Sequence, residues 1–263
     1  MAAPVTHRPR KRFGQNFLHD QGVLQRIEQA IRPKTTDHIV EIGPGLGALT
    51  QYLVEGAGHI DAVEIDRDLI TPLEMRFGEK ISIHNTDALK FDFCSLASKD
   101  EKLRIIGNLP YNISTPLMFR LFEQKGCIKD MHFMLQQEVV NRLVAAPGSK
   151  SYGRLSIMAQ YYCQAENLFH VPPEAFNPPP KVHSAIIRLI PHPQPKVDVT
   201  NFKQFEDVIR QAFSQRRKTI RNTLKKLISA EQLTALGIDP TIRPEQIPIE
   251  QFAQISNAIV KAD

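Results

Sequence analysis

The run Asn108-Leu109-Pro110-Tyr111 offers a flat base two kinds of handle. The Asn108 amide oxygen can accept a hydrogen bond from an exocyclic amine, and the Tyr111 ring is a surface on which a flipped-out base can stack. Pro110 fixes its own φ and lacks an N–H, so the Leu109 carbonyl beside it can be held open as a second acceptor. Taken alone, the same four residues also describe a turn at the end of a strand with a half-buried tyrosine.

A second group of residues suits a nucleotide-like cofactor. Gly43, Gly45 and Gly47 alternate in a short segment after an apolar run and before a helical one, where glycines allow the backbone close approach to a ligand. With Ala48 as the last small residue the segment also satisfies the looser dinucleotide fingerprint, and Glu64 lies at a distance suited to ribose hydroxyls. NAD and S-adenosylmethionine fit this segment almost equally. Asp87 follows a third apolar run, where its carboxylate can receive the amine of a bound adenine or cap a helix.

These side chains need elements to bring them together. Gln21–Arg32 carries Val23, Leu24, Ile27, Ala30 and Ile31 at helical spacing behind Asp20, a suitable N-cap. Strands are expected at His38–Ile42, Ile60–Ile65, Ile81–His84, Leu103–Ile106 and Met131–Leu135. Helices are expected at Ala48–Glu55, around Leu69–Met75 and at Ser114–Gln124. This alternation describes an α/β fold with a doubly wound, mostly parallel sheet. Ligands of such sheets bind beyond the carboxyl ends of the strands, where the glycine turn, Glu64, Asp87 and Asn108 would converge. A proline-rich loop, Pro172–Pro180, precedes a further strand, Ala185–Leu189. After Pro191, Pro193 and Pro195 only helical patterns remain. The boundary is therefore set near Pro195, giving a domain over 1–195 and a smaller, all-helical one over 196–263.

The net charge of +5 hides two concentrated basic segments. Arg8, Arg10, Lys11 and Arg12 precede the first acid, and Arg210, Arg216, Arg217, Lys218, Arg221, Lys225 and Lys226 lie between Asp207 and Glu231 without an acid among them. The rest of the chain sums to −6. Two basic patches on an acidic body suit a phosphate backbone, although one such run can also be a solvated helix face. Cys94, Cys127 and Cys163 are spaced as neither a disulfide framework nor paired zinc ligands, which points to a reduced cytoplasmic setting. No apolar run approaches the length of a membrane span, and no leader-like apolar stretch opens the chain.

Five segments in order resemble the small-subunit ribosomal RNA adenine dimethyltransferases, the kasugamycin-sensitivity methyltransferases. They are Arg12–Leu18, Glu41–Gly47, Asn108–Ser114, the Phe176–Ser184 pattern with Pro178, Pro180, Lys181 and Val182, and Gln215–Asn222. The resemblance implies a Rossmann-like class I S-adenosylmethionine-dependent methyltransferase domain followed by a helical RNA-recognition domain. It implies that Asn16, Leu18, Gly43, Glu64, Asp87 and Asn108 hold S-adenosylmethionine, with no metal. Asn108, Leu109, Pro110 and Tyr111 would form the catalytic loop, Tyr111 and Phe176 would face the target adenine, and Arg216, Arg217, Lys218 and Arg221 would contact RNA. The implied reaction is dimethylation of two adjacent adenosines near the 3′ end of 16S rRNA in the assembling 30S subunit, by a cytoplasmic monomer. His183 stands where many members carry an acid, and Glu138 matches a family pattern without a derivable role. Three rivals stand beside this reading: a large-subunit dimethyltransferase of the macrolide-resistance type, an NAD-dependent oxidoreductase, and a noncatalytic assembly factor on the same fold.

Overall fold

The computed structural model describes residues 15–99 and 101–259. The basic residues Arg8, Arg10, Lys11 and Arg12, and with them the start of the Arg12–Leu18 motif, lie outside that range. The chain packs as two compact units, one made of residues 1–140 and 166–191, the other of 141–165 and 192–263. The later of the second unit's two segments begins at His192. The unit also takes in 141–165, which the sequence reading placed in the first domain.

In the first unit, β1 (Phe17–Leu18) leads into α1 (Gln21–Ile31), then β2 (His38–Ile42), α2 (Thr50–Ala57), β3 (Ile60–Glu64), α3 (Ile70–Phe77) and β4 (Ile81–Asn85). β5 (Leu103–Asn108), α4 (Ser114–Glu123), β6 (Ile128–Gln136) and the start of α5 (Gln137–Leu143) follow. After the second unit's α6 (Arg154–Tyr162), β7 (Cys163–Val171), β8 (Phe176–Asn177) and β9 (Ser184–Pro191) complete the sheets. The main sheet has seven strands in the order β4-β3-β2-β5-β6-β9-β7. β2 to β6 run parallel and β9 runs antiparallel to β6. Chain direction across the sheet reverses between β2 and β5, which opens a crevice at their carboxyl ends.

The central strands read as near-continuous apolar runs because both faces are covered. Ile39, Val40, Ile60, Ala62, Ile105 and Phe133 are all fully or almost fully buried. Asp20 caps α1 as expected, accepting from Val23 N at 2.8 Å. Arg104 fastens the other end of that helix to the sheet: it donates to Asp130 at 2.9 Å, to Asp37 at 2.8 Å and to the Ile31 carbonyl at 2.8 Å.

The cysteine expectation is overturned for two of the three. Cys94 and Cys127 form a disulfide across 33 positions, and Cys163, which is buried, takes no part in it. Two short 3-10 turns, Phe93–Leu96 and Lys125–Cys127, meet around Gln124, whose side chain accepts from Phe93 N at 2.7 Å and Cys94 N at 3.3 Å. That meeting is a tertiary event which spacing along the chain does not encode.

In the second unit, α6 is joined by α7 (Phe202–Ala212), α8 (Ile220–Leu224), α9 (Ala230–Ala235) and α10 (Ile249–Ala258). α7 buries Phe205, Val208, Ile209 and Ala212 along one stripe. Gln204 donates to the Ser256 and Ile259 carbonyls at 2.6 and 2.8 Å, satisfying the end of α10.

Candidate active site

Residues 43–47 turn sharply, with φ of +66° at Gly43, +60° at Gly45 and +79° at Gly47, a region L side chains rarely enter. A Cβ at Gly47 would stand 2.6 Å from the Phe77 ring, so close packing also demands glycine there. At Gly43 a Cβ would meet nothing within 4 Å: the turn faces open space that a ligand can fill. That space is a cavity of about 810 Å³ lined by Asn16, Leu18, Gly43, Glu64, Asp87 and Asn108 together. Its size suits a nucleoside-sized cofactor, for which pockets run from roughly 300 to 1,000 Å³.

Two carboxylates at consecutive strand ends are partly committed. Glu64 is 5 % exposed and accepts from Asp66 N at 2.8 Å and Gly45 N at 3.4 Å. Burial raises its pKa, against the pull of those amides. Asp87 uses one oxygen to accept from Leu89 N at 3.0 Å, capping a turn and not a helix. Behind the glycine turn Glu41 is buried, accepts from the Thr50 hydroxyl at 2.6 Å, and is pushed up to about 7 by burial, with the nearby Glu64 charge adding to the shift.

The Asn108–Tyr111 loop leaves β5 at the same crevice. Asn108 donates its amide nitrogen to the Asn16 carbonyl at 3.1 Å, which turns its Oδ1 away from that bond. Leu109 is buried and its N–H donates to the Met134 carbonyl at 3.2 Å. Among the described residues no donor meets Asn108 Oδ1 or the Leu109 carbonyl. The turn is locked by Ile113 N donating to the Pro110 carbonyl at 3.2 Å and by the Ser114 hydroxyl donating to the Tyr111 carbonyl at 3.1 Å. Asn108, Leu109, Pro110 and Tyr111 all line the cavity.

Residues 15–18 line the cavity as a strap tied to several elements. Gln15 donates to Asp66 at 2.9 Å, Phe17 packs against Gly45, and β1 pairs antiparallel with β8 in the register Leu18↔Phe176. This pairing corrects one expectation. Phe176 is 2 % exposed within the core cluster that includes Leu18, so its ring has no free face for a base. Its neighbour Asn177 lines the cavity instead. Sequence reasoning also passed over Arg76, which lines the cavity and donates to the Leu46 carbonyl at 2.9 Å and to Gln51 at 2.7 Å. Its position on a helix after β3 gave no signal. His183 and Glu138 are exposed.

In the second unit Arg216, Arg217, Lys218 and Arg221 are exposed. The first three lie in the turn between α7 and α8, not on a helix face, and Arg216 donates to the Lys150 carbonyl at 3.3 Å. Gln211 donates to the Thr223 carbonyl at 3.1 Å across the base of the turn. Among the described residues no group of three or more His, Cys, Asp or Glu side chains is arranged to hold a metal ion.

Comparison with known proteins assigns these features to a family. The family model described as ribosomal RNA adenine dimethylase matches residues 6–261. The chain is 55 % identical to the ribosomal RNA small subunit methyltransferase A of Pseudomonas aeruginosa, over 99 % of this chain and 98 % of that one. It is 53 % identical to the protein of the same name from Marinomonas sp., over the whole of both chains. A dimethyladenosine transferase from Plasmodium falciparum superposes with a TM-score of 0.77 at 27 % identity, covering 91 % of this chain and 95 % of that one. The 23S rRNA methyltransferase ErmE superposes at 0.73 and 23 % identity, over 93 % and 99 % of the two chains, a likeness of fold alone. The architecture is that of a class I S-adenosylmethionine-dependent methyltransferase, and over nearly its whole length the chain belongs to the ribosomal RNA adenine dimethylase family.

Proposed function

We propose that the protein dimethylates two adjacent adenosines near the 3′ end of 16S rRNA in the assembling small ribosomal subunit, acting in the cytoplasm as a monomer. The observation that carries the reading is the convergence on one cavity of a glycine turn, two strand-end carboxylates and two uncommitted carbonyl acceptors beside a tyrosine. Relatives between 51 % and 55 % identical, all named for the small subunit, support that choice over a large-subunit target. An NAD-dependent oxidoreductase would leave the acceptors and Tyr111 without purpose.

Glu64 would take ribose hydroxyls on its remaining lone pairs, and the second Asp87 oxygen would take an adenine amine. Gly43 would let the backbone approach, and Asn16 and Leu18 would close the strap over the cofactor. Bound there, S-adenosylmethionine supplies a methyl group on a sulfonium sulfur, an electrophile that needs an in-line nucleophile. The adenine amine is a weak one because its lone pair is delocalised into the ring. Asn108 Oδ1 and the Leu109 carbonyl, accepting both N–H groups, favour the pyramidal nitrogen on which positive charge develops, an effect strongest where water is excluded. Stacking on Tyr111, worth about 1–3 kcal/mol per base, offsets part of the unstacking cost. The alkylated ammonium is far more acidic than the amine and releases its proton without a strong base. Arg216, Arg217, Lys218 and Arg221 would hold RNA phosphates, making the second unit the RNA-recognition domain.

Mapping methylated nucleotides by mass spectrometry after incubation with unmethylated small and large subunits tests the reading. Dimethyladenosine at two adjacent small-subunit positions is expected. Label confined to large-subunit RNA would refute the assignment, and calorimetric binding of NAD in preference to S-adenosylmethionine would refute the reaction class.

A further inference from the structure

We infer that Ser184 is a positioning residue for the base platform: its hydroxyl holds the Tyr111 phenol and so sets the direction in which that ring enters the crevice. The inference rests on the reading of Tyr111 as the surface on which the target base stacks. The two oxygens lie 2.7 Å apart, joining residues 73 positions distant in sequence. Ser184 is fully buried at the first position of β9, in register with Gln136 of β6. The residue before it is fixed as well, because the His183 carbonyl accepts from Gln137 N at 2.9 Å, and the Gln137 side chain is itself paired with His170. The serine oxygen is therefore a rigid point on the sheet.

Tyr111 is held at both of its ends. Its carbonyl accepts from Ser114 at 3.1 Å within the loop turn, and its phenol meets Ser184. With the carbonyl and the para oxygen both anchored, the ring is held between two fixed points where it lines the cavity. A phenylalanine at this position, or an alanine at 184, would keep the stacking surface or its surroundings but lose the second anchor. A Tyr–Ser bond that only supported the fold would leave docking of the base unchanged when it is removed. The two roles differ in what they predict for binding of the base.

The test measures kcat, KM, cofactor affinity and base docking for Ser184→Ala, Tyr111→Phe and the double variant. Docking is read as the fluorescence change of 2-aminopurine placed at the target position of a small-subunit RNA fragment. Loss of one hydrogen bond predicts roughly a 3- to 10-fold fall in kcat/KM for either single variant, with cofactor affinity unchanged. The double variant is expected to match Tyr111→Phe within about twofold, because both changes remove the same bond. Multiplicative losses in the double variant, or a fall in cofactor affinity and melting temperature with docking unchanged, would overturn the inference. Tyr111→Ala separates it from the reading beneath it: full activity there sinks the stacking platform, whereas a large loss with Ser184→Ala unaffected sinks only the role of Ser184. If Ser184→Ala does not fold, Tyr111→Phe alone decides, since wild-type docking and turnover in that variant would refute the anchor.

Discussion

Replacing Asn108 separates the two jobs its amide performs. The nitrogen is spent on the Asn16 carbonyl at 3.1 Å, while Oδ1 has no partner among the described residues. Asn108→Ala removes both. Loss of the bond to Asn16 is one ordinary hydrogen bond, about 0.5–1.5 kcal/mol, so cofactor affinity is expected to weaken by about tenfold at most. In the proposed mechanism, loss of Oδ1 removes one of two groups aimed at the charge that develops on the reacting amine. Single groups of that kind are worth about 10² to 10³ in kcat, or about 3–4 kcal/mol of barrier. Asn108→Asp sharpens the contrast, because an ionised carboxylate keeps an acceptor but sets a second oxygen against the Asn16 carbonyl. It too is expected to lose most turnover. The assay is single-turnover transfer of radiolabelled methyl groups to unmethylated small subunits, with cofactor affinity measured separately by calorimetry. Turnover within tenfold of the parent in Asn108→Ala, or loss of cofactor binding as deep as the loss of rate, would refute the division of labour.

Arg104→Ala removes a buried guanidinium from half-buried Asp130 and from Asp37, which keeps Lys129 at 2.9 Å, and is expected to cost about 1.5–3 kcal/mol in urea unfolding. Burial opposes ionisation of Asp37, but Lys129 and Arg104 together hold its pKa below the ordinary value. The stability this gives is present above the ordinary carboxylate pKa and lost as pH falls through the folded one, so the variant should show a shallower acid limb. Glu41 titrates near 7 when folded against 4.5 ordinarily, so its burial costs stability that grows as pH rises between those values; Glu41→Gln should flatten that slope in thermal unfolding. His132 has the opposite sign: burial drives its pKa down from 6.5 to about 4, neither ring nitrogen has a hydrogen-bond partner among the described residues, and stability falls as pH drops through that window. His132→Phe should remove this acid loss and raise the melting temperature at pH 5. Neutralising Arg216, Arg217, Lys218 and Arg221 together should reduce the salt dependence of RNA binding by roughly 3 in log–log slope, if each holds one phosphate; an unchanged slope would return them to the solvated surface.

Much of the first unit was legible because its strands are buried on both faces and its turns carry glycine. β2, β3, β4 and β5 lie within one or two residues of their expected limits, and the Asp20 cap is where the sequence places it. The missed elements share a physical cause. α6 buries Leu155, Ser156, Ile157, Met158, Ala159 and Tyr161, so it shows no polar face and no amphipathic rhythm. β7 mixes Gln164, Glu166, Asn167 and His170 with apolar residues at the sheet edge, where residues on both faces are at least partly exposed and the alternation is lost. Phe176 sits beside prolines and reads as part of an exposed loop, yet a two-residue pairing with β1 turns it inward. The cavity residues could be found from strand ends alone, whereas the bonds that orient them, Asn16 to Asn108 and Ser184 to Tyr111, join distant positions that carry no shared local pattern.

The strap bears on how the two ligands sense each other. Because the Asn16 carbonyl holds the Asn108 amide, the placement of residues 15–18 and the orientation of Asn108 Oδ1, the oxygen proposed to accept from the adenine amine, are coupled. A ligand that stabilises the strap thereby favours the amide orientation that grips adenine. By linkage, the base must tighten cofactor binding by the same factor. With the roles proposed for Asn16 and Asn108, this is a thermodynamic handshake between methyl donor and acceptor that passes through one side-chain amide.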